Sequence, residues 1–553
     1  MISPAKLDKL PAEVVNLVQE LQEEIISDIC RRISKANFLT PTAEWELYKA
    51  NQLNLSYKEV NRRIARRLKV REQTIREIYT DAVRQALKED ADIYRIAAAM
   101  GRLPDDTGAK IDRYFRSASF SQLLSKGLKS SKGQLRNLCN SMAAEANRQL
   151  SDAMDLAHLK VISGAFSYND AVYAAVKSLA DKGIARVEYP SGRRDNADVC
   201  VRRAVLSSVN KSCCDIQLDL AKEVGSNYVE VTAHIGARPS HAEWQGQIYS
   251  LVRGDPRYPY FYDATGYGTG EGLGGWNCRH NFFPYFEGID TPHHTPDFTK
   301  TENNEYYALT QKQRGYERAV RDSKRQLAAL DGARQSAEDP RLRARLDSDF
   351  ARRSVTLKNR EARLDAFIRD NDLQRDNARV RVVGFGKSVS QRAVHSGNSS
   401  YLKYMKQLGI ENPPKTIALF NQMMYNNTPE YQMLNAYMTS VKSGMLSPLA
   451  GFDKYNEYYN RVQNEIIGIK TATGVEIKSQ SKHFLERVFG TPNDPTHENR
   501  SRSGVKLEDI IDALKNGKTK QNPKDNTSVS FVTDKCSVAV NIKTGKLIQV
   551  NPK

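Results

Sequence analysis

Between Asp255 and Gly275 this chain cannot form regular helix. Tyr258-Pro-Tyr-Phe-Tyr-Asp263 runs into Gly266-Tyr-Gly-Thr-Gly-Glu-Gly-Leu-Gly-Gly275. Proline lacks an N–H, and each glycine loses more freedom on ordering than any other residue. The stretch therefore reads as a long structured loop. It is not a phosphate loop. No Lys-Ser/Thr follows the glycines, and no strand-to-helix context frames them.

Chemistry-bearing residues flank the loop. His234 and His241 lie before it, on either side of Arg238-Pro-Ser240. Cys278 and His280 follow it, two positions apart. Imidazole and thiolate are the usual ligands of zinc, and a closed site takes four. His241, Cys278 and His280 supply three, with His234 as a fourth. The pair of cysteines two to four apart that marks most zinc sites is missing. A second reading therefore stands beside the metal: Trp244, Trp276 and Cys278 in the core, with hydrogen-bonded histidines.

Away from the loop the chain is largely helical at first. Glu13 to Ile26 and Tyr57 to Leu68 carry apolar residues at three- and four-residue steps, and helices continue from about Ala118 to Lys182. The basic face near Arg62-Arg63 and Arg66-Arg67 reads as a solvated helix face in preference to a nucleic-acid contact. Ala185 to Glu188 reads as a strand entering a turn at Pro190-Ser-Gly192, a helix resumes near Ala197, and Tyr228 to His234 alternates as a strand. Helices lead, strands follow, and no βαβ series appears, so the fold class is α+β.

Residues from Glu305 to about Arg369 predict a helical hairpin restarted at Asp339-Pro340. Its interleaved charges and few apolar residues suggest a stalk or spacer. From Val382 to Ala450 the pattern is weak, with Gly384 to Ser390 read as a flexible connection and short helical pieces near Met423 and Tyr431. The end of the chain predicts helices at Ser481–Phe489 and Leu507–Asn516. Short strands at 528–533, 537–542 and 546–550 then form an antiparallel sheet. The expected regions are an N-terminal helical region (1–110), a small α+β core (111–300), the hairpin spacer (301–380), a linker (381–470) and a C-terminal α+β domain (471–553).

The formal charge of +18 favours polyanionic partners, nucleic acid first, through counterion release. Seven scattered cysteines argue against a disulfide framework and for a reducing compartment. No stretch approaches the roughly 18–20 apolar residues that span a bilayer. The start of the chain lacks the basic and apolar regions of a signal peptide. Synthesis in a cytoplasm, with retention there or packaging from it, is the expectation, with no membrane partner.

Ala237-Arg-Pro-Ser-His241-Ala-Glu-Trp244-Gln-Gly246, followed by Gly275-Trp-Asn-Cys278-Arg-His280, resembles the core of phage minor capsid protein 2. That family is related to the Mu-type F head-morphogenesis proteins. Their shared pattern is a Ser-His followed by a glycine, then a loop, then Cys-Arg-Cys or Cys-Arg-His near the domain end. Tyr189-Pro-Ser-Gly192-Arg193, the helix holding Arg202-Arg203-Ala204, and the Thr310 to Arg318 run extend the likeness over most of residues 1–370. The resemblance implies a protein present in few copies per particle. It would meet portal and capsid proteins inside the phage head, lie against packaged DNA, and enter the host with that DNA.

The C-terminal domain carries thirteen Lys/Arg and eight Asp/Glu from Ser479 to Lys553. Metal-free RNA cleavage needs a base, an acid and cations around the phosphorane. His483 is the proton-transfer candidate, with Arg487 one helical turn on and Lys482 before it. His497 is a runner-up in a Pro/Asn/Asp-rich segment. Arg500-Ser-Arg502-Ser503 reads as a loop of guanidiniums and hydroxyls, and Lys543-Thr544-Gly545-Lys546 joins the last two strands. These groups can converge on a phosphate, or serve a binding module without chemistry.

Gln480-x-Lys482-His483, Gly490-Thr491, Arg502-Ser503, Thr544-Gly545 and the terminal Val550 to Pro552 are similar to polymorphic toxin type 50, of the barnase–EndoU–colicin–RelE class. This resemblance implies a metal-independent RNase with His483, Arg502, Ser503 and Thr544 catalytic and Lys482, Arg487, Arg500, Lys543 and Lys546 on the nucleic acid. RNA would be the substrate and an immunity protein a partner. Members often carry histidine after the last Thr-Gly. Lys546 stands there in this chain, which weakens a two-histidine mechanism. A free-standing secreted toxin fits poorly with the missing signal and the head-protein block.

Overall fold

The computed structural model describes residues 11–36, 42–163, 167–182, 186–188, 194–288, 291–292, 294–494, 500–523 and 525–553. The apolar period near the start produces helix α1 (Ala12–Lys35), whose buried stripe is Val14, Val18, Leu21, Ile25, Ile29 and Ile33. Helices α2 (Thr42–Ala99), α3 (Thr107–Tyr114), α4 (Ala118–Ile162), α5 (Tyr168–Lys182) and α6 (Ala197–Val224) follow. Ser117 caps α4 by accepting from the Phe120 N–H at 3.1 Å. Trp45 of α2 stacks on His158 of α4, with ring centroids 4.6 Å apart. α6 packs on α4, α2 and α1, so one apolar core runs through this bundle.

The expected strand after α5 is β1 (Arg186–Glu188), antiparallel to β2 (Arg194–Asn196). The turn expected at Pro190 to Gly192, and Tyr189 to Arg193 of the family likeness, lie outside the described residues. Beyond α6 a three-stranded antiparallel sheet forms from β3 (Tyr228–Val231), β4 (Ile248–Ser250) and β5 (Phe282–Pro284), with β3 in the middle. Two short helices, α7 (Pro239–Ala242) and α8 (Phe261–Thr265), sit in its connections; α8 is a single helical turn inside the stretch expected to hold none, and it stops where Gly266 takes a left-handed backbone. The glycine loop is ordered by stacking on itself: a Cβ at Gly272 or Gly275 would collide with the backbone of Gly266 or Gly270.

The predicted hairpin is α9 (Lys300–Ser336) and α10 (Pro340–Asp370). Thr299 and Glu302 form a reciprocal capping box, and Asp339 caps α10 ahead of Pro340. The hairpin does not stand apart as a stalk. Val320, Leu327 and Leu330 of α9 and Leu342, Leu346, Phe350, Leu357 and Leu364 of α10 are buried in the same core as α1. Sparse apolar residues suffice because they fall on one face of each helix.

The chain divides into two compact units, Met1–Ala393 and Val394–Lys553. The stretch expected to be a linker is mostly helix. α11 (Lys387–Gln407) begins inside the expected flexible connection, followed by α12 (Ile417–Tyr425), α13 (Pro429–Lys442) and α14 (Phe452–Arg461). Thr416 and Thr428 cap α12 and α13, the latter with proline in its first turn. These local start signals outweigh the weak apolar period.

The last part contains β6 (Ser479–Gln480), α15 (Lys482–Phe489), β7 (Gly490–Asp494), β8 (Arg500–Ser503), α16 (Leu507–Asn516), β9 (Lys518–Gln521), β10 (Ser528–Val532), β11 (Cys536–Asn541) and β12 (Lys546–Pro552). β9 to β12 form an antiparallel meander, and β6 adds to β12 in parallel. The sheet is therefore mixed at one edge, not wholly antiparallel. Phe484 and Val488 of α15 and Ile510 and Leu514 of α16 share a core with Phe531, Val538, Leu547 and Val550 of the sheet. Arg500 to Ser503 is a strand paired with β7, not the expected loop. Among the described residues the cysteines form no disulfide, and no helix is long and apolar enough to cross a membrane.

Candidate functional site

Pro239 opens α7 at its first turn and places His241 against the glycine loop, where Nε2 donates to the Glu271 carbonyl at 2.8 Å. After the loop the backbone turns at Asn277, in the left-handed region at φ 54°. Cys278 and His280 thereby face His241. One ligand atom from each of the three lies within 4.8 Å of the others, and all three side chains are buried. His280 Nε2 is 3.0 Å from Gln245 Oε1, which also accepts from the His234 N–H at 3.1 Å. The other nitrogen of His280, Nδ1, is 3.7 Å from Cys278 Sγ. Burial pushes the His241 pKa down to about 4, pushes His280 well below its ordinary value, and raises the Cys278 thiol. Both imidazoles are neutral at neutral pH.

His234 is not in this cluster of three. Its ring stacks on His280 at 4.5 Å, while Trp244 packs edge-on at 4.8 Å. Trp244 and Cys278 are buried, as the core reading expects, but Trp276 is 59% exposed. Its ring covers Gly270, its carbonyl accepts from Arg238, and it borders a cavity also lined by Arg203, Lys211 and Tyr267. Only the first of the two aromatic anchors is therefore a core residue.

In the C-terminal unit, Ser481 caps α15, which carries Lys482 exposed, His483 half-buried and Arg487 buried, so Arg487 does not face solvent as the nucleic-acid contact expected of it. His483 Nδ1 is 3.3 Å from Glu486 Oε2, and Arg487 Nε is 3.4 Å from His483 Nε2. Glu486 is buried, and it also accepts from Ser440 Oγ at 2.7 Å with Lys482 Nζ at 3.5 Å. Burial works to raise the Glu486 pKa, but the hydrogen bonds from His483 and Ser440 and the charge of Lys482 hold it below its ordinary value.

The remaining expected residues stand on other elements. Arg502 on β8 donates to Asn551 of β12, and Ser503 ends β8 exposed. Arg500 opens β8, its backbone in register with Asp494. Lys543 and Thr544 occupy the β11–β12 turn, their N–H groups donating to Asn541 Oδ1 at 3.1 and 3.0 Å. Lys546 opens β12. Among the described contacts, none joins His483 to Arg502, Ser503 or Thr544. His497 lies outside the described residues.

The profile of phage minor capsid protein 2 matches residues 2–369, two thirds of the chain. The chain belongs to this minor capsid family. Family membership makes it a structural protein of a phage particle. Two proteins named "Structural protein" are similar to parts of it. That of Lactococcus phage LL-H is 28% identical over 192 residues, covering 34% of this chain and 51% of the relative. That of Lactococcus phage mv4 is 45% identical over 80 residues, covering 14% of this chain and 62% of the relative. The chain thus spans between about half and three fifths of these relatives. No solved structure matches. The matched family region ends before the C-terminal unit begins.

Sequence reasoning missed the residues that hold the site. Asn210 Nδ2 reaches from α6 to the carbonyls of Cys278 and His280, and Gln217 Nε2 binds Asp90 Oδ2 at 2.7 Å and the Phe282 carbonyl at 3.4 Å. Both are 2% exposed. The signal was present: Leu206, Asn210, Cys213, Gln217 and Leu220 recur at three- and four-residue steps, so two amides interrupt an apolar stripe. Buried amides of this kind must find partners, which the segment following the loop supplies.

Proposed function

We propose that this minor capsid protein acts at the portal and inner face of the shell, in few copies, and lies against packaged DNA. Its family membership carries the particle role, and the net charge of +18 favours the DNA contact. It would join the procapsid in the host cytoplasm and remain inside the head, with release into the host alongside DNA. Co-expression with the portal and shell proteins of its own phage tests this. The expected result is procapsids that contain the chain only when portal is present. Procapsids that assemble with portal and exclude it would overturn the portal reading. A DNA affinity that does not fall with rising salt would overturn the DNA contact.

For residues 471–553 we infer a second, appended role: a metal-independent ribonuclease unit acting on RNA, with an immunity protein in the producing cell. One geometric observation favours it. A buried carboxylate, Glu486, faces His483 Nδ1, which makes that nitrogen the donor and leaves the lone pair on Nε2, where it accepts from the Arg487 guanidinium that must release it for proton transfer. Catalysis also requires Arg502, Ser503 or Thr544 to reach the same phosphate, with Lys482, Arg500, Lys543 and Lys546 as its cationic surroundings. The alternative is a non-catalytic module that binds nucleic acid or a partner. Full-length protein and His483→Gln, incubated with tRNA and total RNA, separate the two. Cleavage by the wild type that the variant loses supports the nuclease. Intact RNA with folded wild-type protein leaves the binding module.

A further inference from the structure

Neither reading above uses the buried cluster of His241, Cys278 and His280. Its proton positions follow from its neighbours. The carbonyl of Glu271 can only accept, so Nε2 of His241 carries the proton. The Gln245 atom facing His280 must be the oxygen, because the backbone N–H of His234 donates to it, so Nε2 of His280 is protonated too. Each imidazole therefore directs its N–H to a fixed oxygen and keeps its lone pair on Nδ1. Metal-bound histidines are oriented in this way, by an oxygen acceptor on the far nitrogen.

One separation agrees, and the set as a whole must draw together on binding. With Zn–N at about 2.0–2.1 Å and Zn–S at about 2.3 Å, tetrahedral geometry puts nitrogen and sulfur about 3.5 Å apart. Nδ1 of His280 and Sγ of Cys278 are 3.7 Å apart, and one ring nitrogen of His241 completes a set within 4.8 Å. A simple S–H···N hydrogen bond accounts for the first pair, and His241 is held beside it by the Glu271 carbonyl and the Trp244 ring. Asn210, holding the carbonyls of Cys278 and His280, fixes the backbone on which two of the three donors sit.

We propose that His241, Cys278 and His280 bind one zinc-class divalent cation. The site fastens α7 to the segment that closes the glycine loop. Binding releases the thiol proton of Cys278 to solvent and forms one metal–sulfur and two metal–nitrogen bonds. Two neutral imidazoles and one thiolate suit a borderline-soft ion over calcium or magnesium. Three protein ligands leave one coordination position for a further donor.

The test uses the untagged full-length chain, made with zinc in the medium and measured by elemental analysis, then exchanged with cobalt(II). About one zinc per chain is expected, with a thiolate-to-cobalt charge-transfer band that Cys278→Ala abolishes. X-ray absorption on the wild-type zinc form needs no variant and should show one sulfur at about 2.3 Å and nitrogens at about 2.0 Å. Folded wild-type protein with less than one ion per several chains would overturn the proposal. So would bound metal with no sulfur in its shell.

Discussion

Asn210, in the middle of α6, donates from Nδ2 to the carbonyl of Cys278 at 3.2 Å and to that of His280 at 3.3 Å. One buried amide thus holds both ends of the Cys-Arg-His turn. Asn210→Leu keeps the volume and removes the amide donor that the two buried carbonyls share. We expect a loss of about 1–3 kcal/mol of stability. The check is urea unfolding of the full chain followed by Trp fluorescence, and an unshifted midpoint would refute the clamp.

Gly246 and Gly225 both have positive φ, at 70° and 77°. They differ in their surroundings. A Cβ at Gly246 would strike the His294 carbonyl and Pro296, whereas at Gly225 it meets open space. Gly225→Ala should cost about 1 kcal/mol through backbone strain alone. Gly246→Ala should cost clearly more, and equal thermal shifts for the two variants would contradict the close packing of the 294–296 segment on the site.

Leu346 tests whether the hairpin belongs to the core. It is fully buried, with the α1 stripe in the same cluster. Leu346→Ala should destabilise the N-terminal unit by about 2–5 kcal/mol, the range for a buried leucine that leaves a cavity. A free-standing spacer would unfold as a separate transition, and differential scanning calorimetry distinguishes the two outcomes.

Glu486 has a folded pKa below its ordinary value of 4.5, held there by His483, Ser440 and Lys482 against the effect of burial. A depressed carboxylate contributes stability above its unfolded pKa and loses it as pH falls through the folded one. Stability of the C-terminal unit should therefore drop as pH falls below 4.5. Glu486→Gln should flatten that slope relative to wild type. Parallel pH profiles for the two proteins would show that folding leaves the pKa of this carboxylate unchanged.

How far these features could be read from sequence depends on the range of the forces involved. The hairpin boundaries were legible because Asp339-Pro340 is a local start signal. The last three strands were legible because alternation and turn residues are local too. The hairpin's burial was not, since eight leucines, valines and phenylalanines spread over two long charged helices reveal their role only when α1 lies against them. Of the helices between 387 and 461, the pieces near Met423 and Tyr431 were legible, with Thr416 and Thr428 marking their starts, while the helices at 387–407 and 452–461 were hidden by a weak apolar period. In the site, residue types named His241, Cys278 and His280 correctly as neighbours. Gln245 and Glu271 act through one side-chain amide and one backbone carbonyl, which have no short-range signature, whereas Asn210 shows in the α6 stripe as a buried amide whose partners lie 68 and 70 positions away.

This member of the minor capsid family belongs to the phage particle, and we propose that it is carried inside the head. Quantitative mass spectrometry of density-purified, protease-treated particles, referenced to the portal and major shell proteins, addresses it most directly. Protease-protected copies of the chain, far fewer than those of the shell protein, are expected. Complete absence from infectious, DNA-filled particles would contradict this placement.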